Sequence, residues 1–440
     1  MSKEIKVSPR TPKGFIEYLP EDQILFSEMF QKIRSTYELF GFTPIETPAT
    51  ELTEILLAKA GRETDKQIYH LAKKGEQISL HFDLTVPLAR YVAQHYDKLT
   101  FPFRRYQMQK VWRGERNQKA RFREFYQCDI DVIGSNNLLV DAEIPSVIHA
   151  VFVALGFSNF TIRVNNRKVL NGFFEHLNIL DISKEVLRII DKIDKIGKES
   201  VSKELQTLGL KKDKSDAILR FIDIKGDNAD TISQLKLLGA NNTTLNEGIV
   251  ELETLCRYIE MFGVPAFCYK IDLSIARGLD YYTGTVYETV LNDYPDIGSI
   301  CSGGRYDDLA SYYTNKKLPG VGISIGLSRL FFKLREAGVI QPSKSTPSVV
   351  LVSQLDATYL PNCLDIARKI RAKGINAEVY FESDKIGKQV KYANRLKISY
   401  VVIIGEQEVL SGKISVKSMI TGEQRLMTVE ELTGLIAVTE

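Results

Sequence analysis

The chain has 440 residues, 44% of them hydrophobic and 26% charged, with a formal net charge of +3. That length accommodates two or three domains, and the composition suits a globular fold with a full core. The near-neutral balance excludes nucleic-acid binding through bulk positive charge, though not through a local basic patch, and no apolar run approaches the roughly 18 residues a membrane span needs.

The N-terminal stretch MSKEIKVSPRTPKGF lacks the apolar core of a signal peptide. Residues 22–40 (DQILFSEMFQKIRSTYELF) place apolar side chains at helical spacing and stop at Gly41. GFTPIETPATEL follows, and its two prolines mark an extended segment at an element boundary. In QISLHFDLT, residues 77–85, Ile78, Leu80, Phe82 and Leu84 alternate with Gln77, Ser79, His81, Asp83 and Thr85. That period of two predicts a strand with one polar face. Such strands, separated by long connections, predict an antiparallel sheet with helices packed on one side. From residue 166 to about 260 the chain becomes rich in Lys, Asp, Ile and Leu at helical spacing (ISKEVLRIIDKIDKI), which predicts a mostly helical insertion. Strand character returns in FCYKIDLSIARGLDYYTGTVYETVL. Beyond the polar linker QPSKSTP, residues 341–347, the chain reads SVVLVSQ, a helix near 359–373, AEVYF, a helix near 385–397, then YVVIIG. This βαβαβ alternation predicts a small α/β domain. The five cysteines are scattered without a C-x-x-C pair, so free thiols in a reducing compartment are expected. The five histidines form no H-E-x-x-H, and no metal held by protein side chains is expected.

The densest chemistry lies in VWRGERNQKARFREFYQCDID, residues 111–131. A period of two puts Arg121, Arg123, Phe125, Gln127, Asp129 and Asp131 on one face, with Arg113 and Glu115 sharing a side of the preceding strand. Guanidiniums come first, then an aromatic ring, then an amide and carboxylates. Arginine forks bind phosphate, a phenyl ring stacks on a flat base, and the far end accepts N–H groups. An elongated ligand with phosphates at one end fits that gradient. A solvated face with surface ion pairs fits this stretch alone equally well. Three more segments add weight to the ligand reading. SIARGLDYYTGTVYETV carries Arg277 and the paired Tyr281 and Tyr282. SGGRYDDL, residues 302–309, puts two glycines before Arg305 and Tyr306, which allows close backbone approach to a ligand. PGVGISIGLSRLFFKL runs a Gly-rich strand into a helix bearing Arg329 and matches neither a P-loop nor a dinucleotide fingerprint.

Together these segments resemble the class II aminoacyl-tRNA synthetases, and among them the histidyl-tRNA synthetase family. GFTPIETPATEL is similar to motif 1, VWRGERNQKARFREFYQCDIDVIG to motif 2 and PGVGISIGLSRL to motif 3. ARGLDYYTGTVYE and SGGRYDDL are similar to the two histidine-specific signatures, and LHFDLTVPLAR to the amino-acid-binding strand. The resemblance implies an α+β catalytic domain on a six-stranded antiparallel sheet with flanking helices (residues 1–165 and 261–340), the helical insertion (166–260) and an α/β anticodon-binding domain (345–440). It implies a cytoplasmic homodimer joined through motif 1, with histidine, ATP and the tRNA for histidine as partners and neither DNA nor a membrane among them. Histidine and ATP would give histidyl-adenylate and pyrophosphate, and the histidyl group would pass to the 3′ end of the tRNA. Magnesium would ride on ATP oxygens.

The same resemblance assigns roles. Arg113 and Arg277 are the catalytic pair at the α-phosphate, Arg277 filling a place that a metal holds in relatives. ATP would meet Arg113, Glu115, Arg121, Phe125 and Arg329, with Phe125 and Arg329 sandwiching the base. Histidine would meet Asp83, Thr85, Gln127, Asp131, Arg277, Tyr281, Tyr282 and Tyr306, with Asp83, Thr85 and Gln127 on the α-amino group. The tRNA would meet Arg116 and Gln118 in the motif 2 loop, and Lys388, Lys391 and Arg395 on a C-terminal helix. Residues 345–440 hold 12 basic and 11 acidic side chains, so that helix is a local patch only. Four positions depart from the family pattern, one of them Gly114, which follows Arg113 where bulkier residues are common. His81 stands where arginine is usual, and Asp83 and Asp131 are one methylene shorter than the usual glutamates. The rival reading is an inactive regulatory or tRNA-sensing paralogue; the regulatory type lacks the anticodon domain and the signature arginine.

Overall fold

The computed structural model describes residues 7–58, 65–71, 75–114, 120–238, 242–275, 282–382 and 384–439. The chain divides into two compact units, one built on Phe30–Ala337 with the segment ending at Ile16, the other on Glu17–Met29 and Gly338–Glu440.

The first unit holds strands β1 (Thr43–Pro44), β2 (Thr50–Leu52), β3 (His70–Leu71), β4 (Ile78–Leu80), β5 (Phe103–Trp112), β6 (Glu124–Ile133), β7 (Phe160–Asn166), β8 (Tyr269–Ile271), β9 (Thr285–Leu291), β10 (Cys301–Tyr306) and β11 (Gly320–Ile325). The main sheet has eight strands in the order β1-β5-β6-β11-β10-β9-β7-β8. Its six inner strands pair antiparallel throughout. The expected six-stranded sheet is therefore present, but β1 and β8 extend it at the edges as short parallel additions. Pro44 has no N–H to donate, which suits it to the edge position it occupies.

A separate three-stranded sheet, β2-β4-β3, replaces the long strand read from QISLHFDLT. Strand β4 ends at Leu80, and Thr85 begins the helix Thr85–Gln94. The switch has a local cause. Asp83 Oδ1 accepts the Val86 N–H at 3.1 Å, capping the first turn, and Pro87 sits where helical N–H groups have no intrahelical acceptor. Both faces of the link are buried: His81 and Leu84 show no exposure and Asp83 only 3%.

Behind the sheet lies the helix Leu138–Ala154, apolar on nearly all sides and buried along most of its length. Among the described residues six α-helices run between Arg167 and Met261, the stretch that the sequence reads as helical. In the second unit, strands β12 (Val350–Gln354), β13 (Ala377–Val379) and β14 (Tyr400–Ile404) pair in parallel around helices Leu360–Ala372 and Ile386–Leu396. An antiparallel pair absent from the sequence reading, β15 (Ile414–Ser418) and β16 (Gln424–Met427), completes a five-stranded sheet. All five cysteines are buried and unpaired. Among the described residues no helix is long and apolar enough to cross a membrane.

Candidate active site

Gln127, Asp129 and Asp131 occupy every second position of β6 and share one face of the sheet. Register then fixes their neighbours. Arg105 and Gln107 of β5 stand opposite Asp131 and Asp129. Gly322 and Ser324 of β11 stand opposite the same two residues on the other side. The capped link after β4 brings Asp83 and Thr85 into the same pocket, and β10 brings Tyr306. Arg113 and Tyr282 complete its wall.

Asp131 is the best-held carboxylate. Tyr306 donates its hydroxyl to Oδ1 at 2.6 Å, and Nη2 of Arg105, a guanidinium with no exposed surface, lies 2.5 Å from Oδ2. Glycine at 322 is required by close approach, since a Cβ there would stand 2.1 Å from Asp131 Oδ1. Gln127 donates from Nε2 to Ser324 Oγ at 2.6 Å. Three acceptors are left over: Asp83 Oδ2, Gln127 Oε1 and Asp129 Oδ1 are buried and have no donor among the described residues. Buried acceptors without donors are costly. A ligand carrying several N–H groups on a positive centre satisfies them.

Burial raises all three aspartates. Asp83 and Asp131 rise to about 6 and Asp129 to about 7, with Arg105 pulling each of them back down. A carboxylate whose folded-state pKa is raised gives stability below its unfolded pKa, near 4, and loses it as pH rises through the folded value. The unliganded protein should therefore lose thermal midpoint between pH 5 and pH 7.5 through these groups. Histidine, whose α-ammonium stays charged across that range, should restore more of the midpoint at pH 7.5 than at pH 5. A thermal-shift titration of the native protein and of Asp129→Asn checks this; an equal histidine effect at both pH values would remove the carboxylates from ligand binding.

A second pocket adjoins the first and shares Arg113, Gln127, Ser302 and Ser324 with it. Arg121, Phe125 and Arg329 line it. Arg113 donates from Nε to Phe82 O at 2.9 Å and lies 5.2 Å from the Phe125 ring centroid, which aims its remaining N–H groups. Arg329 donates to Ile297 O at 3.2 Å from the first turn of the helix Leu327–Glu336. The two pockets form one cleft, with carboxylates at one end, guanidiniums and an aromatic ring at the other, and Arg113 between them.

The structure thus brings together Asp83, Thr85, Arg113, Gln127, Asp131, Tyr282 and Tyr306, and beside them Arg121, Phe125 and Arg329. Glu115, Arg116, Gln118, Arg277 and Tyr281 lie outside the described residues. Lys388, Lys391 and Arg395 belong to the other unit, exposed on the helix Ile386–Leu396 opposite its buried Gln389 and Ala393. Lys388 pairs with Asp384 at 2.9 Å.

Two residues that the sequence left without a role are structural. Arg305, from SGGRYDDL, forms a buried pair: its Nε lies 3.0 Å from Asp141 Oδ1 and its Nη1 donates to Ser135 O. His81 is the other. Its Nε2 lies 2.7 Å from Lys110 O, and burial lowers its pKa. Two site residues escaped the sequence reading, and a third, Asp129, was placed on the right face by its parity with Gln127 and Asp131 but given no role. Arg105 and Ser324 carry no mark until the register of β5 and β11 is known.

A family model described as histidyl-tRNA synthetase matches residues 14–330, and one described as an anticodon binding domain matches 347–438. A histidine–tRNA ligase of Clostridium tetani is 58% identical over 439 residues, 99% of each chain. One from Xanthomonas axonopodis is 49% identical over 460 aligned positions, covering 98% of this chain and 96% of that one. The crystal structure of histidyl-tRNA synthetase from a Nostoc species superposes with a TM-score of 0.92 at 43% identity, covering 99% of this chain and all of that one. Identity at this level, sustained through the anticodon-binding region, favours the ligase over the regulatory paralogue. A pocket of donor-less acceptors beside a guanidinium-lined cleft, these full-length relatives and the matched family model agree: the chain belongs to the histidyl-tRNA synthetase family, class II ligases that activate histidine with ATP and transfer it to tRNA.

Proposed function

We propose that the carboxylate pocket takes histidine and the adjoining cleft takes ATP, so that the histidine carboxylate meets the α-phosphate beside Arg113. The observation that carries this reading is the set of three acceptors without donors among the described residues, on Asp83, Gln127 and Asp129, in a pocket that shares Arg113, Gln127, Ser302 and Ser324 with a guanidinium-lined groove. The α-ammonium supplies donors to Asp83, Thr85 and Gln127. The imidazole, with one donor and one acceptor nitrogen when neutral, pairs with Asp131, which Arg105 and Tyr306 hold in place. An amino acid lacking those nitrogens leaves buried polar groups unpaired, which is the basis of strong rejection. Arg113 and Arg277 neutralise charge on the α-phosphate as the carboxylate oxygen attacks phosphorus and pyrophosphate leaves. Phe125 and Arg329 hold the adenine, with Arg121 at the γ-phosphate end and Glu115 at the base.

Magnesium suits this cleft as a passenger on the phosphates. The described residues of the ATP end offer serine hydroxyls and the Gln127 amide but no carboxylate, and hard cations held by few protein ligands keep water and phosphate oxygens. When bound it neutralises phosphate charge.

The catalytic domain is assigned to 1–165 and 261–340, the insertion to 166–260 and the anticodon-binding domain to 345–440, with tRNA contacts at Arg116, Gln118, Lys388, Lys391 and Arg395. A homodimer through motif 1 is supported by a hollow between Phe30, Pro44, Ile45, Tyr106 and Met108 beside the edge strand β1, and by Leu39, 85% exposed at the end of the helix Pro20–Leu39. The cytoplasm, where tRNA and ATP meet, suits five unpaired thiols. Amino-acid-dependent ATP–pyrophosphate exchange tests the site assignment. Histidine alone in a panel of amino acids should support exchange, and Arg277→Ala should abolish it. Unimpaired exchange in that variant would take Arg277 out of the reaction.

A further inference from the structure

Gln127 can turn either end of its amide toward a ligand, and the two ends have opposite effects on an ammonium group. Its Oε1 attracts the ammonium and its Nε2 repels it. In this structure Nε2 is tied to Ser324 Oγ at 2.6 Å, and Oε1 is buried with no donor among the described residues. What decides that orientation lies one residue further along the sheet. Ser324 stands directly opposite Asp129 in the β6–β11 register, so its hydroxyl neighbours the Asp129 carboxylate and favours its charged form. Asp129 is 3% exposed. Its Oδ1 has no donor among the described residues.

We infer that Asp129 is a positioning residue for histidine, acting through Ser324 to lock Gln127 with its carbonyl oxygen toward the substrate ammonium. The logic is one of proton count. A serine hydroxyl has a single proton. Above the raised titration of Asp129, at about 7, its ionised carboxylate can only accept, so Ser324 gives that proton to Asp129. The lone pairs of Ser324 then face Gln127, which must answer with Nε2. Without Asp129, Ser324 can turn its proton to Oε1, the amide can reverse, and the pocket presents N–H to an ammonium. The chain Asp129–Ser324–Gln127 spans two adjacent strands of a rigid sheet, so its direction is set before the ligand arrives.

The inference rests on the proposed meeting of Gln127 with the α-ammonium, and the test separates the two. Exchange kinetics give KM for histidine and ATP, and competition gives Ki for histamine, which keeps the ammonium, and for imidazolepropionate, which lacks it. Ser324→Ala leaves every charge in place and breaks the relay. It should raise KM for histidine and Ki for histamine roughly tenfold, the effect of one charge-assisted hydrogen bond. Ki for imidazolepropionate should stay within about twofold, which also reports a folded pocket. Ser324→Thr, which keeps the hydroxyl, should restore histidine binding. The coupling between Asp129→Asn and Gln127→Ala should vanish when residue 324 is alanine. If Gln127→Ala is selective for the ammonium ligands but Ser324→Ala is not, the relay is wrong and the pocket reading stands. If Gln127→Ala weakens all three ligands alike, the ammonium assignment fails and the relay with it.

Discussion

Arg113→Ala is expected to lower kcat for histidine-dependent pyrophosphate exchange by about 100- to 1,000-fold while leaving the fold intact, the range seen when one preorganised donor to a developing oxyanion is removed. The fold should survive because Arg113 is only half-buried and spends one N–H, from Nε, on Phe82 O. That single bond sets the direction of the rest of the fork, and the Phe125 ring beneath it limits its swing. The loss should therefore fall on kcat more than on either KM, because the guanidinium is asked to bind charge that appears only during attack. Arg113→Lys keeps the charge but not the two-pronged geometry, so it should recover only part of the rate. Thermal midpoints and exchange kinetics on the three proteins decide the matter. A kcat within threefold of native for Arg113→Ala would remove this side chain from the chemistry.

The sequence carried more of the site than of the framework that holds it. A period of two was enough to put Phe125, Gln127, Asp129 and Asp131 on one face of β6, because a strand alternates its side chains whatever sheet it joins. It did not extend to residues 121–123, which precede the strand: Arg121 and Phe122 line the cleft there and Arg123 does not. What that period could not give is the neighbour. Arg105 meets Asp131 only because β5 pairs with β6 in one register, and Ser324 meets Asp129 only through β11. Both facts are long-range. The overlong strand read at 77–85 failed for a local reason instead: alternation of apolar residues persisted through Phe82 and Leu84, but Asp83 capped a helix and stopped the strand at Leu80. The role of Arg305 was equally out of reach, because its partner Asp141 comes from a helix 164 residues earlier in the chain. The β15–β16 pair was missed because its strands are short and polar at the edge.

The second large effect concerns Asp131, where fold and function draw on the same bond. Asp131→Ala should cost about 3–5 kcal/mol of stability, the usual penalty for leaving a buried charge without its partner. Arg105 has no exposed surface, and its Nε and Nη1 have no acceptor among the described residues, so it has nowhere else to place its charge. The Tyr306 hydroxyl loses its acceptor in the same step. Histidine activation should disappear as well, since the ring then faces an unpaired guanidinium. These two losses can be pulled apart. The triple variant Arg105→Met, Asp131→Leu, Tyr306→Phe replaces a buried ionic cluster with apolar groups of similar shape, an exchange that is often neutral or stabilising. Leucine copies the branched outline of aspartate, which matters beside Gly322, where there is no spare room. The triple variant should regain most of the native unfolding midpoint and still show no histidine-dependent exchange. That outcome would make Asp131 a recognition residue whose charge the fold tolerates only because Arg105 is there. Equal stability of Asp131→Ala and native protein, measured by chemical denaturation, would mean that Arg105 finds another partner and that the ion pair does not hold the pocket.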